Sequence, residues 1–318
     1  KIMSKIKYKI ALLGGRGFVG QEIIKIIDKH NFFDLSLIYS SSKAGEKINS
    51  YHKNPELKYS ELNENMQLDD IDIVICALPN GESSKFVDKI ERINNSIVII
   101  DIGSDYRFNN NWFYSIPEIN NITFGTKRIS NPGCYATASQ LSIAPIKDII
   151  KSKVSCVGIS GYSGAGASPN NKNNPKIINE SIFPYSLTNH THEKEIKKHC
   201  YSKVSLSPHV ADFFRGILVT SHFSLSKKFN INEIIKIYND FYKNNNLIKI
   251  QKEPPLIKDV INTNYAIIGG YSVSDDGHDL VTCCVIDNLL KGAASQCIQN
   301  LNVTFGFEES LSLEDTFI

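Results

Sequence analysis

The sequence predicts an α/β fold in two domains, a doubly wound parallel sheet followed by an α+β domain with a mixed or antiparallel sheet. In the first half, short runs of β-branched residues alternate with helical patterns, the order typical of parallel strands joined by crossover helices. A glycine-rich turn directly follows the first of these runs. From residue 154 onward, apolar and polar residues alternate instead, which favours a mixed or antiparallel sheet.

Each element follows from one of these patterns. The pattern over residues 21–29 predicts a crossover helix, and that over residues 288–300 predicts a helix that returns to the first domain. We therefore expect a nucleotide-binding domain over residues 1–133, completed by residues 288–318, and a catalytic and oligomerisation domain over residues 134–287. Asn-rich residues 170–174 and 244–246 are predicted surface loops. The predicted strands are 8–13, 35–39, 71–78, 97–102, 154–160, 216–224, 265–274 and 280–287.

Composition excludes several classes of partner. The net charge is +2 and the lysines are scattered, so nucleic acid is not expected to bind. No apolar run reaches the roughly 20 residues that span a bilayer, so a soluble protein is expected. Seven cysteines at irregular spacings, without a C-x-x-C pair, indicate a reducing compartment, and Cys76, Cys156, Cys283 and Cys284 are expected to be small buried hydrophobes.

The glycine-rich turn has the composition of a pyrophosphate-binding loop. It opens a helix after the first strand, where backbone N–H groups and the helix dipole attract phosphate, as in the Rossmann fold. Its spacing is G-x-x-G-x-x-G, and the alternative is a tight turn that needs glycine for its geometry alone. The predicted loop consists of Gly14, Gly15, Arg16, Gly17, Phe18, Val19 and Gly20.

The end of the second predicted strand indicates which dinucleotide binds. NAD-binding proteins usually place an acidic residue there for the ribose hydroxyls. This chain has Ser40, Ser41, Ser42 and Lys43 instead, whose hydroxyls and ammonium suit a 2′-phosphate. The sequence therefore predicts NADP(H), with a merely polar loop as the alternative.

Cys134 is the predicted nucleophile. The Pro132-Gly133 pair ends any preceding strand, and a helix is predicted from Cys134 to about residue 150. In the first turn of a helix, the positive dipole end and the unpaired N–H groups favour the thiolate. A thiolate can displace phosphate from an acyl phosphate to leave a thioester, which hydride reduces to an aldehyde. The alternative is an ordinary buried cysteine.

A histidine is expected as the acid/base group, and arginines as anion binders. The candidates are His190, His192 and His209, and we choose His190 because Glu195 follows it by little more than one helical turn. No metal is expected, since a site built from His190, His192, His199 and Cys200 would have no carboxylate-rich shell. The predicted substrate-binding residues are Arg107, which follows the fourth strand, Arg215, which follows a loop at residues 208–209, and Asn131, His192 and His209.

Several motifs together resemble the N-acetyl-γ-glutamyl-phosphate reductases, relatives of aspartate-semialdehyde dehydrogenase. The resemblance runs nearly end to end, and residues 160–166, 185–188 and 257–260 look closest to the reductase part of the fungal bifunctional kinase-reductase. The motifs are Ala77-Leu78-Pro79-Asn80-Gly81, Asp101-Ile102-Gly103-Ser104-Asp105-Tyr106-Arg107-Phe108, Ile116-Pro117-Glu118, Ser130-Asn131-Pro132-Gly133-Cys134-Tyr135-Ala136-Thr137, Ser160-Gly161-Tyr162-Ser163-Gly164-Ala165-Gly166, His190-x-His192-x-x-Glu195-Ile196 and Asp287-Asn288-Leu289-Leu290-Lys291-Gly292-Ala293-Ala294.

The resemblance implies roles for particular residues. Cys134 would be the nucleophile, His190 the acid/base residue and Glu195 its support. Gly14, Gly17 and Gly20 would hold the pyrophosphate, and the remaining cofactor contacts are expected at Pro79, Ser163, Gly164, Ala165, Gly166 and Asn288.

The resemblance also implies an activity and a setting. The expected reaction is NADPH-dependent reduction of N-acetylglutamyl phosphate, an arginine-biosynthetic step, by a homo-oligomer (dimer or tetramer). Because the chain opens with Lys1-Ile2 before Met3, an excised piece of a longer precursor with an acetylglutamate kinase part is expected as one possibility. The compartment would then be the mitochondrial matrix, and otherwise the cytoplasm. The alternatives are reduction of aminoadipyl or aspartyl phosphate, a cysteine hydrolase, and a dinucleotide-sensing protein without catalysis; one methylene changes discrimination by only about 1–3 kcal/mol.

Overall fold

The computed structural model describes residues 7–63 and 65–314, which form two compact units, each with its own seven-stranded sheet. The first unit runs to Asn131 and resumes at Ala294, and the second unit comprises Pro132–Ala293. This division falls two residues before the predicted boundary after residue 133 and six residues after the one that follows residue 287. The roles assigned to the two predicted domains stay a prediction.

Strands and helices alternate along most of the chain. The strands are β1 (Tyr8–Leu13), β2 (Phe33–Ser40), β3 (Tyr59–Glu61), β4 (Ile73–Cys76), β5 (Val98–Asp101), β6 (Phe113–Tyr114), β7 (Arg128–Ser130), β8 (Val154–Gly161), β9 (Ile182–Pro184), β10 (Val204–Ala211), β11 (Ile217–Ser224), β12 (Ile248–Ile250), β13 (Ala266–Val273) and β14 (Asp279–Ile286). The α-helices are α1 (Phe18–Lys29), α2 (Ser83–Ile93), α3 (Cys134–Ile143), α4 (Pro175–Ile178), α5 (Thr191–His199), α6 (Ile231–Tyr242) and α7 (Ser295–Thr304). No helix within the described ranges has the length and hydropathy needed to cross a bilayer.

The first sheet has the strand order β3-β2-β1-β4-β5-β7-β6, and all of its pairs are parallel. The chain moves outward from β1 in both directions, which confirms the predicted doubly wound sheet. Helix α1 follows β1 and buries Ile23, Ile24 and Ile27, while Lys25 and Lys29 stay exposed. The four predicted strands of this half are present, and β3, β6 and β7, each two or three residues long, were not predicted.

The second sheet is mixed, as predicted, with the order β12-β13-β14-β11-β8-β10-β9. Strands β8 and β10 run parallel, while β11 pairs antiparallel with both β8 and β14. The prediction of a loop at residues 208–209 was wrong, because Pro208 and His209 lie inside β10. Proline has no N–H group to donate to a neighbouring strand, so its presence in the sequence indicated a loop. In the structure, the carbonyl oxygen of Pro208 still accepts the N–H of Tyr185.

Two predicted helices also differ from the structure. Helix α3 ends at Ile143 and continues as a 3-10 helix over Ala144–Ile149, which has proline at its start. Proline cannot donate the backbone hydrogen bond that an α-helix requires, which explains the change. The helix predicted over residues 288–300 begins as a π-helical turn over Leu290–Ala294 and then becomes α7. The Asn-rich residues 170–174 contain a 3-10 turn, Asn171–Asn173.

One face of the second sheet carries α3, α5 and α6, and the other face is partly open. Along β8, Val154, Cys156 and Gly158 are buried, whereas Ser155 and Val157 are exposed. The same alternation in β10, β11 and β14 gives a continuous second face. This face, called the outer face below, consists of Ser155, Val157, Ile159, Ser205, Ser207, His209, Leu218, Thr220, His222, Val281 and Cys283.

Candidate active site

Cys134 is the first residue of α3, as predicted, and its side chain is half-buried. The N-cap residue is Gly133, which has no side chain to cover the helix N-terminus. The N–H groups of the first turn and the helix dipole therefore act on the thiol and favour its ionised form.

Other cysteines lie in environments that oppose ionisation. Burial raises the pKa of the Cys156 thiol to about 11 and that of Cys200 to about 12. Cys76, Cys156 and Cys284 are buried, as expected for small hydrophobic residues, whereas Cys283 is half-buried on the outer face. None of the seven cysteines forms a disulfide bond.

Glu195 holds the loop that carries the nucleophile. It is completely buried, and its Oε2 accepts the backbone N–H of Gly133 at 2.9 Å. Its Oε1 lies 3.9 Å from Nε2 of His192. The Glu195 carboxylate thus connects two parts of the second unit. It binds the backbone N–H of Gly133 at the start of α3, and it lies near the His192 ring in the histidine segment, residues 190–192. The predicted pairing of Glu195 with His190 stays a prediction.

His190 caps the N-terminus of α5. Its Nδ1 accepts the backbone N–H of His192 at 3.1 Å, so a neutral His190 in this arrangement carries its proton on Nε2. The rings of His190 and His192 meet edge to face, with their centroids 4.7 Å apart. Nε2 is therefore the atom from which His190 can donate a hydrogen bond.

Two tyrosines complete this cluster, and neither was predicted as a site residue. Tyr135 and Tyr185 present their rings to His190 at centroid distances of 6.0 and 5.5 Å. The two phenols interact electrostatically with each other, and the Tyr135 hydroxyl donates to the carbonyl oxygen of His209 at 2.6 Å. Burial raises the pKa of both phenols, so they are neutral donors. The only sequence signal was their position, next to Cys134 and shortly before His190.

The backbone around the histidine segment is strained. Ser186 and Asn189 have φ values of 43° and 60°, in the left-handed region that side-chain-bearing residues seldom adopt. Each such residue costs about 1–3 kcal/mol and persists only where the surrounding structure holds it in place, and such residues gather at functional sites. They are the first and last residues of the segment that joins Tyr185 to His190.

The turn after β14 approaches the nucleophile closely. A Cβ atom added at Gly292 would lie 2.8 Å from Cβ of Cys134, so only glycine fits. The preceding Asn288 fixes two loops, because its Oδ1 accepts the N–H of Gly216 at 2.6 Å and its Nδ2 donates to Oγ of Ser163 at 2.9 Å. Asn288, Ser163 and the adjoining Gly164, which are three of the expected cofactor contacts, therefore lie together.

Two predicted substrate-binding residues have other contacts. The Arg215 guanidinium binds both carboxylate oxygens of the buried Asp287, with Nε 2.7 Å from Oδ2, and also donates to Asn262. Burial raises the pKa of Asp287, while the arginine opposes this shift. The His209 ring lies on the outer face, opposite to α3, and only its carbonyl oxygen reaches the Tyr135 hydroxyl. The structure therefore does not bring the His209 ring together with Cys134.

In the first unit, the glycine-rich loop has the geometry of a phosphate cradle. Gly14 has φ of +86°, and a Cβ atom there would collide with the carbonyl oxygen of Ala77, so the turn requires glycine. Gly17 is the N-cap of α1, without a capping side chain. Within this loop Arg16 is exposed, and Pro79 is exposed just after β4. An uncapped helix N-terminus after the first strand fits a dinucleotide pyrophosphate.

The predicted 2′-phosphate residues follow β2, but they differ in exposure. Ser40 is buried, and its Oγ accepts the N–H of Ser42 at 3.3 Å. Ser41 and Ser42 are exposed. The Lys43 ammonium lies 3.1 Å from Oε2 of Glu46, and the two side chains are 43% and 56% exposed. Such a surface pair is worth little, so a phosphate can replace Glu46 as the partner of Lys43.

Arg107 and Asn131 form a buried anchor at the end of the first unit. Arg107 donates from Nε to the carbonyl oxygen of Asn131 at 3.0 Å and from Nη2 to that of Ile102 at 2.8 Å. Asn300 in α7 donates to Oδ1 of Asn131 at 3.2 Å. These contacts fix the chain just before Pro132. Among residues 7–63 and 65–314, no group of three or more His, Cys, Asp or Glu side chains is arranged to hold a metal ion.

Comparisons with known proteins agree with the fold of the two units. Residues 9–126 match the family model "Semialdehyde dehydrogenase, NAD binding domain", and residues 134–288 match "Semialdehyde dehydrogenase, dimerisation domain". Aspartate semialdehyde dehydrogenase II of Vibrio cholerae shares the fold, with a TM-score of 0.78 at 15% identity over 93% of this chain and 98% of that chain. The NADP complex of the Candida albicans aspartate semialdehyde dehydrogenase gives a TM-score of 0.73 at 15% identity over 98% of this chain and 100% of that chain.

Other known proteins are much more similar to this chain in sequence than these two structures are. The N-acetyl-gamma-glutamyl-phosphate reductase of Stenotrophomonas maltophilia is 38% identical over 98% of this chain and 99% of its own length. The "Protein ARG5,6, mitochondrial" of Candida albicans is 42% identical over 95% of this chain, which spans only 36% of that protein. The chain therefore belongs to the N-acetyl-gamma-glutamyl-phosphate reductase family, within the NAD(P)-binding semialdehyde dehydrogenases.

Proposed function

We propose that this chain reduces N-acetyl-L-glutamyl 5-phosphate with NADPH to N-acetyl-L-glutamate 5-semialdehyde and phosphate, a step of arginine biosynthesis. The observation that carries the proposal is the position of Cys134, the first residue of α3, whose N-cap Gly133 is bound by Glu195. The name of the bacterial relative supports the choice of substrate.

The reaction follows from the side chains around Cys134. The Cys134 thiolate attacks the acyl carbon, and the C–O bond to phosphate breaks, which leaves a thioester and free phosphate. His190, with its proton on Nε2, donates a hydrogen bond to the acyl oxygen as negative charge develops there. NADPH, when bound, supplies the hydride that reduces the thioester carbon. The resulting hemithioacetal oxyanion then expels the Cys134 thiolate and leaves the aldehyde.

The choice of NADPH over NADH rests on the residues that follow β2. Lys43 is the cation there, and Ser41 and Ser42 are exposed hydroxyls that can donate hydrogen bonds to a 2′-phosphate. The pyrophosphate would lie on the uncapped N-terminus of α1, next to Gly14 and Gly17.

The proposed assembly is a homodimer formed through the outer face of the second sheet. The matching family model is a dimerisation domain, and this face carries partly exposed apolar side chains in its middle. Val157 is 36% exposed, and Leu218 and Val281 are half-buried on neighbouring strands. A kinase part in a longer precursor, and a mitochondrial location like that named for the fungal relatives, stay predictions.

Steady-state kinetics of a cysteine variant test the proposed function. Purified wild-type protein is expected to oxidise N-acetylglutamate semialdehyde with NADP only when phosphate or arsenate is present, because either one releases the acyl group from Cys134. Cys134→Ser should lose this activity by at least about a thousandfold while NADPH still binds. Cys283→Ser, which changes a cysteine on the outer face, is the matched control.

Two results would contradict the proposal. Turnover retained in Cys134→Ser would exclude a thioester on this sulfur. A preference for the aspartate or aminoadipate semialdehyde, in a panel of the three semialdehydes, would assign the enzyme to a different acyl phosphate.

A further inference from the structure

Lys172 lies in the Asn-rich segment between β8 and α4, and the reaction described above gives it no task. Its Nζ is 4.5 Å from the centroid of the Tyr185 ring. The same ring faces His190 at 5.5 Å, and the Tyr185 phenol interacts electrostatically with Cys134. One aromatic ring therefore connects this ammonium group with the nucleophile and the proposed acid/base residue.

The positive charge of Lys172 is not neutralised by the protein. The side chain is half-buried, and no carboxylate in residues 7–63 and 65–314 lies within salt-bridge distance of it. In the same unit, Lys197 pairs with Glu193, and Lys236 pairs with Asp240. A partly desolvated cation beside reactive groups, without a counter-ion of its own, attracts an anion.

The segment around Lys172 is fixed before any ligand binds. Asn170 accepts the N–H of Lys172 at 2.9 Å, and its Nδ2 donates to the carbonyl oxygen of Ala165 at 3.1 Å. Asn173 donates to the carbonyl oxygen of Gly166 at 3.0 Å, and its Oδ1 accepts the N–H of Asn170 at 2.8 Å. The asparagines thus join this turn to the Ser163–Gly166 turn. Little conformational entropy is lost when a fixed turn binds a ligand, so more of the attraction between Lys172 and an anion contributes to affinity.

We propose that Lys172 is a substrate-binding residue, whose ammonium group binds an anionic oxygen group of the substrate beside Cys134. The proposal rests on the proposed function, in which the substrate carries two such groups, the acyl phosphate and the carboxylate of the amino acid. An ammonium group forms charge-assisted hydrogen bonds with either one. The Tyr185 ring limits the positions of the ammonium group through a cation–π contact.

The first experiment measures charge attraction at Cys134 without any substrate. The alkylation rate of the Cys134 peptide is followed by mass spectrometry with iodoacetate, which is anionic, and with iodoacetamide, which is neutral. Lys172→Gln is expected to lower the ratio of the iodoacetate rate to the iodoacetamide rate about fivefold. The reason is that the variant loses one positive charge, which attracts the anionic reagent across a partly solvated distance. Lys172→Arg should keep the wild-type ratio. The control is Lys176→Gln, which removes an exposed lysine of α4.

The second experiment identifies the anionic group by reverse kinetics. In Lys172→Gln, a KM for phosphate raised about tenfold assigns the ammonium to the phosphoryl group, and a KM for the semialdehyde raised to the same extent assigns it to the carboxylate. If the alkylation ratio and both KM values were unchanged in this variant, Lys172 would not bind the substrate, and the proposal would be wrong. A wild-type protein that turns over none of the semialdehydes would count against the proposed function instead, because the alkylation ratio does not depend on the substrate.

Discussion

At the scale of single residues, the contact between Lys43 and Glu46 bears on cofactor preference. Both side chains are partly exposed at the surface, and a surface ion pair contributes at most about 1 kcal/mol. A cofactor with a 2′-phosphate would compete with Glu46 for the ammonium group and would also be repelled by the remaining carboxylate. If Lys43 binds the 2′-phosphate as proposed, we expect Glu46 to weaken the binding of NADPH and to have no such effect on NADH.

We predict that Glu46→Gln tightens NADPH binding about two- to fivefold and leaves the Kd for NADH unchanged. Lys43→Asp should act in the opposite direction and shift the preference toward NADH. Fluorescence titration of the reduced cofactors measures both effects. Glu56→Gln is the control, because it removes a similar exposed carboxylate that pairs with Lys47 in the same segment. An equal change in both Kd values would separate these residues from the 2′-phosphate.

The residues predicted from the sequence are those whose role depends on local chain geometry. The positions of Gly14, Gly17 and Cys134 in the fold could be predicted, because a few neighbouring residues determine a glycine turn or the start of a helix. Tyr185 and Lys172 could not, since their positions depend on the pairing of β9 with β10 and on a turn stabilised by asparagines. The contact between Lys172 and Tyr185 joins two separate elements, and no local pattern reveals it.

At the scale of secondary structure, α7 is a buried helix with polar residues on most of its surface. Gln299 donates to Glu118 at 2.8 Å, and Asn300 donates to the carbonyl oxygen of Ser115 at 3.1 Å. Asn302 bonds Nε2 of the buried His30 at 2.9 Å. Polar side chains can be buried at low cost when hydrogen bonds satisfy them. The sequence pattern predicted a helix here, but its burial depends on these distant partners.

The pH dependence of stability tests the contact between α1 and α7. Burial lowers the pKa of His30 to about 4, from an unfolded value near 6.5, so the native state keeps this ring neutral. The unfolded chain takes up a proton as the pH falls below about 6.5, and stability is lost between there and about pH 4. We predict a loss from this residue of about 2 kcal/mol between about pH 7.5 and about pH 5.

Urea unfolding of His30→Gln at both pH values measures this contribution. The variant has no ring to protonate, so its free energy of unfolding should change by about 2 kcal/mol less than that of wild type over this interval. Asn31→Ser, which changes an exposed neutral neighbour, should behave like wild type. If His30→Gln kept the full wild-type pH dependence, burial of a neutral His30 would not be its source.

At the scale of the whole molecule, the second sheet is covered by helices on one face only. Its fold class could be predicted from alternating residues, whereas its strand order could not, because β8 pairs with the distant strands β10 and β11. Pairing at long sequence separation leaves no local pattern. The outer face that results joins residues from four strands, with Val157 opposite Thr220 and Thr220 opposite Cys283 in register.

This face yields the prediction for the assembly. A lysine in the middle of a closely packed symmetric interface would be buried without a counter-ion and would repel its own copy, which costs several kcal/mol. Val157→Lys should therefore convert the wild-type dimer to monomers, as measured by light scattering after size exclusion at micromolar concentration. The variant should stay folded by circular dichroism, because Val157 is already 36% exposed in the monomer. Ile93→Lys, at another exposed apolar residue at the end of α2, should remain dimeric. If the Val157→Lys variant remained a dimer, the interface would lie elsewhere. If the wild-type protein were a monomer, the proposed dimer would not exist.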